Sequence, residues 1–167
     1  MGLKRWIRHW WTTPRRVHRV LPLAALDRIR AAIARTESIH SGEIRFAVEA
    51  SLPWSYLKRD APARQRATMV FAKLRVWDTE ANNGVLLYVD LADHAIEIVA
   101  DRGIARFVAR HEWEAICNAV REHFRRNEFE AGVIAGVEAI GRLLARHFPL
   151  APGAVNPNEL PDKPAVL

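Results

Sequence analysis

The sequence predicts an α/β fold in which a mixed β-sheet, formed by a parallel pair of strands and a hairpin strand, is sandwiched between helices. Three observations lead to this prediction. An alternating segment, 43–50, is followed by a helical pattern and then by the continuous apolar run 85–91. Such runs are typical of strands that helices cover on both faces. A short polar turn leads to a third alternating segment, 95–100, and two amphipathic helical patterns follow.

The length and composition are those of one folded domain. The chain has 167 residues, 50% of them hydrophobic and 26% charged, and a chain of this length can bury a core without disulfides. Its one cysteine, Cys117, cannot form an internal disulfide, as expected in a reducing cytoplasm. We expect no signal peptide or membrane span, because the apolar segments are short or interrupted by charges.

The positive charge is concentrated at the N-terminus. The formal net charge is +6, and the first twenty residues contain six cations and no acid. The remaining chain has as many basic as acidic residues. A neutral body with one cationic segment disfavours a broad phosphate-binding face, so we do not expect nucleic acid as a partner.

Residues 1–21 predict a basic amphipathic N-terminal arm. Apolar residues recur at helical spacing on one side of it and basic residues on the other, and Pro14 is typical of the first position of a second short helix. The apolar side needs a hydrophobic surface, which could be the body of the same molecule, a membrane interface or a partner protein. The residues expected to make such a docking contact are Trp6, Trp10, Trp11, Arg15 and Arg16.

Residues 22–148 predict the α/β body, which opens with a helix at Pro22 and a first strand over 43–50. The crossover helix that follows is expected to be capped by Asp60 and to extend its apolar side as far as Trp77.

The C-terminal part of the body predicts two packed helices and then a tail. Gly132 and Gly136 leave one side of the last helix smooth enough for close packing. Residues 149–167 are rich in proline and show no helical or strand period. They predict a Pro-rich tail, or a strap over the surface.

Strand polarity predicts which loops share one end of the sheet. A strand–helix–strand unit places its two strands parallel, and a tight turn makes the third strand antiparallel. The first two strands should therefore begin where the third one ends. The side chains there that could offer oxygen ligands to a hard cation such as calcium are Glu43, Asp78, Asn82, Asn83 and Asp101.

The same residues have a purely structural interpretation. Asp and Asn before Gly are ordinary turn residues, and Glu43 could be a solvated strand start. Arg102 could bind an anion or a partner beside a metal site. The sequence contains no phosphate loop, zinc-protease helix or nucleophile elbow, so it assigns no catalytic residue.

Three motifs of the body follow one another in order: GEIR at 42–45, NNGVLLYV at 82–89 and, after the hairpin, DRGI at 101–104. As a set they resemble the TPM domain family, over about residues 22–148. The chain is most similar to the small cytosolic bacterial branch, which has a basic N-terminal arm and an NELPD ending like that at 158–162.

The resemblance implies a mixed sheet between helices, and some family members are described as acid phosphatases or calcium binders. Lumenal and secreted members have Gly-aromatic-Gly where this chain has DRG at 101–103, and an Asp before the first helix where it has RVLP at 19–22. Two acidic positions are lost and one is gained. We therefore expect calcium or another divalent cation to bind weakly or not at all.

Two functional hypotheses remain. The preferred one is an interaction or accessory module, cytoplasmic or at the inner face of the membrane, whose arm docks onto an anionic membrane surface or a membrane-associated partner. The resemblance implies a LemA-like protein as that partner. The alternative is a metal-dependent, calcium-binding phosphatase of the TPM family.

Overall fold

The computed structural model describes residues 3–167, with side chains from residue 5 onward. Among these residues no helix has the length and apolar character needed to cross a membrane. The elements in chain order are α1 (Leu3–Trp11), α2 (Pro14–Val20), α3 (Leu23–Glu37), β1 (Glu43–Glu49), α4 (Trp54–Lys58), α5 (Ala63–Lys73), β2 (Gly84–Asp90), β3 (Ala95–Ala100), α6 (Arg102–Ala105), α7 (Arg110–Arg125), α8 (Phe129–His147) and β4 (Ala165–Val166).

The sheet has four strands in the order β3-β2-β1-β4. β1 and β2 are parallel, with Glu43 opposite Gly84, and β3 is antiparallel to β2, with Ala100 opposite Val85. The predicted parallel pair and hairpin are confirmed. The tail adds a strand that the sequence does not predict, since β4 pairs parallel with β1. Two residues are too few to show a strand period.

Helices cover both faces of the sheet, and each face has its own apolar core. On one face, side chains such as Phe46 and Leu87 pack with residues of α2, α3, α7 and α8. On the other face, side chains such as Leu86 pack with α5 and with Leu160 of the tail. Because β1 and β2 are buried along their whole length, β2 can be a continuous apolar run.

The close packing predicted for the last helix is confirmed. A Cβ atom at Gly132 would lie 2.7 Å from His123 Cβ, and one at Gly136 would lie 2.8 Å from Val120 Cγ2. Both distances are shorter than a normal carbon–carbon contact. The two glycines therefore allow α8 to approach α7.

The crossover segment differs from the prediction at both ends. α5 begins at Ala63 with Pro62 at its N-cap, whereas Asp60 lies in the preceding turn with φ of 50°. The helix ends at Lys73, so Trp77 lies beyond it and is 48% exposed. The left-handed conformation of Arg75, with φ of 54°, explains why the apolar pattern does not continue as a helix.

Candidate functional site

The strand polarity brings the predicted loops to one end of the sheet, here called the amino-terminal edge: the starts of β1 and β2 and the end of β3. The Asp101 N–H donates to the Gly84 carbonyl at 2.9 Å, and Gly84 lies opposite Glu43. Glu43 and Asp101 therefore flank Gly84 in one row across the sheet, about 10 Å apart at their Cα atoms.

Glycine at position 84 is required by a close approach of the backbone. A Cβ there would lie 1.9 Å from the Val76 carbonyl oxygen. Gly103, of the third motif, is required in the same way, because its Cβ would lie 2.3 Å from the Ala81 carbonyl oxygen. The glycines of two motifs thus hold the loops of this edge together.

Glu43 is fully buried at this edge. Its Oε2 accepts a hydrogen bond from the Leu160 N–H at 3.1 Å, and its Oε1 has no hydrogen-bond partner. Burial raises the pKa of Glu43, and the neighbouring Glu159 and Asp162 raise it further. Leu160 belongs to the tail, 117 residues further along the chain.

Asn83 and Asp101 each have one bonded and one unbonded side-chain group. The Asn83 amide donates to the Ser41 carbonyl at 3.1 Å, while its Oδ1 is buried without a partner. Asp101 caps α6 by accepting from the Arg102 N–H at 2.7 Å, while its Oδ2 is buried without a partner. Buried oxygens are normally bonded to a donor or an ion. With Glu43 Oε1, this edge has three such oxygens.

The other residues predicted for this edge have partners of their own. Asp78 is exposed, and its carboxylate pairs with Arg75 at 2.6 Å. Asn82 has a left-handed backbone, with φ of 51°, and its Oδ1 accepts from Arg102 Nε at 3.3 Å. Arg102 therefore supports the turn in addition to being available at the surface.

The end of the tail forms a strap, here defined as 156–167, that crosses the amino-terminal edge. Asn156 donates to the carbonyls of His40 and Gly42 at 2.9 and 3.2 Å, and Glu159 accepts from the Glu80 N–H at 2.9 Å. The strap contains the NELPD motif. It is the part of this edge that sequence reasoning did not place, because its partners are distant in the chain.

Further buried titratable residues lie near the strap. Glu37 accepts from the Ile44 N–H at 2.8 Å, and burial raises its pKa to about 9, so it is protonated at neutral pH. Arg45, also buried, donates to the Lys163 carbonyl at 3.2 Å. The nearby His40 is fully buried, and burial lowers its pKa to about 4.

The opposite end of the sheet, here called the carboxyl-terminal edge, holds the N-terminal arm. Asp93 pairs with Arg5 at 2.8 Å and also with Arg8. The buried His9 places Nε2 at 3.0 Å from Asp93 Oδ1, and its Nδ1 accepts from the Leu52 N–H at 3.1 Å. The polar side of α1 therefore binds the body.

Nearby positive charges decide the ionisation state of Asp93. Burial alone would raise its pKa, but the interactions with His9, Arg5 and Arg8 outweigh burial and hold the pKa well below its usual range. Asp90, fully buried beside it, has no such set of partners, and burial raises its pKa.

His9, Asp90 and Asp93 have the spacing of a metal site, with ligand atoms within 4.8 Å of one another. Hydrogen bonding argues against a metal here. Because His9 Nδ1 accepts from a backbone N–H, the neutral ring carries its proton on Nε2, the nitrogen that faces Asp93. A metal would need a lone pair at that nitrogen. The cluster is an ion-pair network that attaches the arm.

The apolar side of the arm consequently points outward. Trp10 and Trp11 are 77% and 78% exposed, and Ile7 is also exposed. Trp6 is half-buried and packs edge-to-face against the exposed Trp54 of α4, with ring centroids 4.2 Å apart. We call this surface the aromatic face, formed by Ile7, Trp10, Trp11 and Trp54.

Three cations lie close in sequence to residues of the aromatic face. Arg15 is exposed and Arg16 half-buried on α2, directly after α1. Lys58 is exposed one helical turn after Trp54, on the same side of α4. Sequence reasoning did not connect α4 with the arm, because short-range patterns carry no information on that contact.

The protein is an α/β domain whose mixed sheet lies between helices and has a polar edge at the starts of two parallel strands. Comparisons with known proteins identify its family. The sequence matches the TPM domain over residues 18–143. The chain therefore belongs to the TPM domain family.

A solved structure supports the same assignment. The chain is similar to the BA42 protein of the psychrophilic bacterium Bizionia argentinensis, determined by NMR, with a TM-score of 0.75 and 30% sequence identity. The similarity covers 86% of this chain and 93% of that one. A comparison with curated proteins found no match.

Proposed function

We propose that this TPM-domain protein is an accessory module that docks onto anionic membrane surfaces, at the inner face of the cytoplasmic membrane, through its aromatic face. The observation that carries this proposal is the orientation of α1. Its polar side binds Asp93 of the body, and its tryptophans lie on the exposed side. Exposed apolar side chains on one side of a helix are typical of an interaction site.

The chemistry of the face favours a membrane interface. Tryptophan prefers the boundary between headgroups and acyl chains, and amphipathic helices lie in the plane of that boundary. Each Lys or Arg near an anionic surface adds about 1 kcal/mol of attraction, and Arg15 and Lys58 are exposed. Because ion pairs already hold α1 on the body, docking does not have to order the helix.

Co-sedimentation with vesicles tests the proposal. The intact protein should bind vesicles rich in phosphatidylglycerol, bind phosphatidylcholine vesicles less, and be released by salt. The double substitution Trp10→Ala and Trp11→Ala should weaken binding about tenfold or more, since it removes the inserted aromatic area. Trp77→Ala is the matched control, because Trp77 is exposed but lies outside the aromatic face.

Two results would contradict membrane docking. One is equal vesicle binding by the double variant and the Trp77 control. The other is absence of vesicle binding at low salt in a protein whose thermal unfolding is normal. Retention by vesicles only after a LemA-like membrane protein has been incorporated would assign the aromatic face to that partner.

A second function has a specific observation in its favour. The three unbonded buried oxygens at the amino-terminal edge, Glu43 Oε1, Asn83 Oδ1 and Asp101 Oδ2, are of the type that hard cations prefer. Calcium takes six to eight oxygens, so a cation at this edge would need further ligands, such as water, beside these three. Bound there, the cation would offset the charge of a phosphate ester, as a metal-dependent phosphatase requires.

Calcium and magnesium titrations test this second function. A cation that binds only the folded state stabilises it by about 2.7 kcal/mol at a hundredfold excess over Kd. The melting temperature should rise on addition of the cation, and the rise should be absent in Asp101→Asn. Hydrolysis of a generic phosphate ester, measured with and without the cation, separates binding from catalysis. An unchanged melting temperature at millimolar calcium and magnesium would exclude the site.

A further inference from the structure

Asp90, at the end of β2, lies beneath the N-terminal arm. One of its side-chain oxygens lies within 4.8 Å of a ring nitrogen of His9 and of an oxygen of Asp93. Asp90 is fully buried: its Oδ1 accepts from the Ala92 N–H at 2.9 Å, and its Oδ2 has no hydrogen-bond partner among the described residues. The carboxyl group of Asp90 therefore lies where the arm meets the body with one oxygen unbonded.

The arginines near Asp90 pair with other acids. Arg66 donates to Glu49 at 2.8 and 2.9 Å, and the two arginines of α1 pair with Asp93. The charged and titratable groups around Asp90, from every element packed here, are Arg5, Arg8, His9, Arg16, Glu49, Asp60, Arg66, Tyr88, Asp93 and His94. An ionised Asp90 would add a buried negative charge beside Glu49 and Asp93 with no arginine of its own, which is costly.

The hydrogen bonds of His9 keep its ring neutral. Nδ1 accepts from the Leu52 N–H at 3.1 Å, and Nε2 faces Asp93 Oδ1 at 3.0 Å. A second proton on the ring would lie on Nδ1 and would place two donors against each other. A proton that offsets the charge of this cluster consequently binds the unbonded Oδ2 of Asp90.

Burial favours the protonated form of Asp90. It raises the pKa of Asp90 from the ordinary value near 4 into the neutral range, and the charges of Asp93 and Glu49 also raise it. A positively charged His9 would lower this pKa again, but the bond from Leu52 keeps His9 neutral. With the arm detached, the same carboxyl group would face water and regain its ordinary pKa.

We propose that Asp90 is a pH-sensitive switch for the N-terminal arm: the arm stays attached while Asp90 is protonated, and it detaches more readily once Asp90 is ionised. The switch is a property of the protein alone. One consequence rests on the proposed membrane docking: an anionic surface at about −30 mV concentrates protons about threefold, so it would favour the attached arm and with it the orientation of the aromatic face.

Attachment of the arm is linked to proton binding. Above about pH 6.5, the ordinary pKa of histidine, the detached His9 binds no proton and a solvated Asp90 is ionised. The attached state still holds a proton on Asp90, because folding of the arm onto the body raises its pKa. Attachment therefore weakens as the pH rises from about 6.5 through the raised pKa. At lower pH the detached His9 also binds a proton, which balances the proton on Asp90.

Hydrogen exchange at the Leu52 amide tests the switch, because this N–H donates to His9 only while the arm is attached. The Leu52 protection factor is divided by that of Leu87, in the middle of β2, to remove opening of the whole domain. Between about pH 6.5 and 8.5 this ratio should fall at least about threefold. A smaller fall, or a rise, would overturn the proposal.

Asp90→Asn keeps the shape of the protonated side chain and cannot ionise. In this variant the fall above about pH 6.5 should be absent, and attachment should weaken below that pH, as the detached His9 takes up a proton. Asp27→Asn, on the exposed side of α3, is the matched control and should retain the wild-type fall. If Asp90→Asn shows the same fall as the wild type, Asp90 is not the switch.

A titration of the unaltered protein makes the test independent of any variant. The carbon-13 shift of the Asp90 carboxyl group, followed by NMR, should have its midpoint above about pH 6.5. A lower midpoint would overturn the proposal, because the attached state would then bind no more protons than the detached one. Neither measurement includes a membrane, so failure of the switch and failure of membrane docking are distinguishable.

Discussion

The two ends of the sheet both bury acidic residues, but the chain compensates them differently. At the carboxyl-terminal edge, Glu49 accepts two hydrogen bonds from Arg66 at 2.8 and 2.9 Å, and Asp93 pairs with Arg5 and Arg8. At the amino-terminal edge, Glu43 and Asp101 accept backbone N–H groups and form no ion pair among the described residues. Glu49 and Asp93 hold the molecule together through these ion pairs, whereas Glu43 and Asp101 each keep one buried oxygen without a hydrogen-bond partner, as Asp90 does at the other edge.

Arg66→Met should have the largest effect. Glu49 is buried and also accepts from the Tyr88 hydroxyl, and removing Arg66 leaves it buried without a counterion. Breaking a buried pair in this way costs about 3–5 kcal/mol of the free energy of unfolding, measured by denaturant titration. Adding Glu49→Gln should restore a large part of the loss. If Arg66→Met alone is as stable as the wild type, a group other than Arg66 must balance the charge of Glu49.

Asp93→Asn should have an intermediate effect. It removes the carboxylate that Arg5, Arg8 and His9 share, and we expect a loss of about 2 kcal/mol at pH 7. Because folding lowers the pKa of Asp93, its contribution is present above the unfolded pKa of about 4 and is lost as the pH falls through the folded value. Wild type and variant should therefore converge in acid. A constant difference in unfolding free energy from pH 7 to pH 2.5 would contradict this explanation.

Glu43→Gln should have the smallest effect, and of opposite sign. Burial raises the pKa of Glu43 in the folded protein, so the wild type loses stability as the pH rises from the unfolded pKa through the raised one. The variant has no such loss and should equal or exceed the wild type by up to about 1 kcal/mol at pH 8 in the presence of a chelator. Destabilisation across the whole pH range would show that this carboxylate is structural.

The sheet could be predicted because its residue pattern is local. Alternation in 43–50, the apolar run 85–91 and the short turn between β2 and β3 were enough to give the polarity of the strands, and polarity brought Glu43 and Asp101 to one edge. The end of the crossover helix was less predictable. The helical spacing of apolar residues continues to Trp77, but the helix ends at Lys73 and Arg75 is left-handed.

The orientation of the arm and the path of the strap could not be predicted, for a common reason. Periodicity shows that α1 has a polar and an apolar side, and the hydrophobic effect alone favours burying the apolar one. The orientation of α1 is instead decided by its ion pair with Asp93, which lies 88 residues from Arg5. The path of the strap likewise depends on the hydrogen bond from the Leu160 N–H to Glu43, 117 residues away. Contacts at such separations leave no trace in a local pattern.

The separation of the two ends has a consequence for a molecule resting on a membrane. Seven-residue strands set the edges about 23 Å apart, and the aromatic face belongs to the arm held at the carboxyl-terminal edge. In a molecule docked in this way, the amino-terminal edge would lie away from the membrane, beyond the roughly 8 Å over which salt screens a surface charge under physiological conditions. Negative lipids beneath one end would neither repel a phosphate ester from the other end nor compete with it for a cation there.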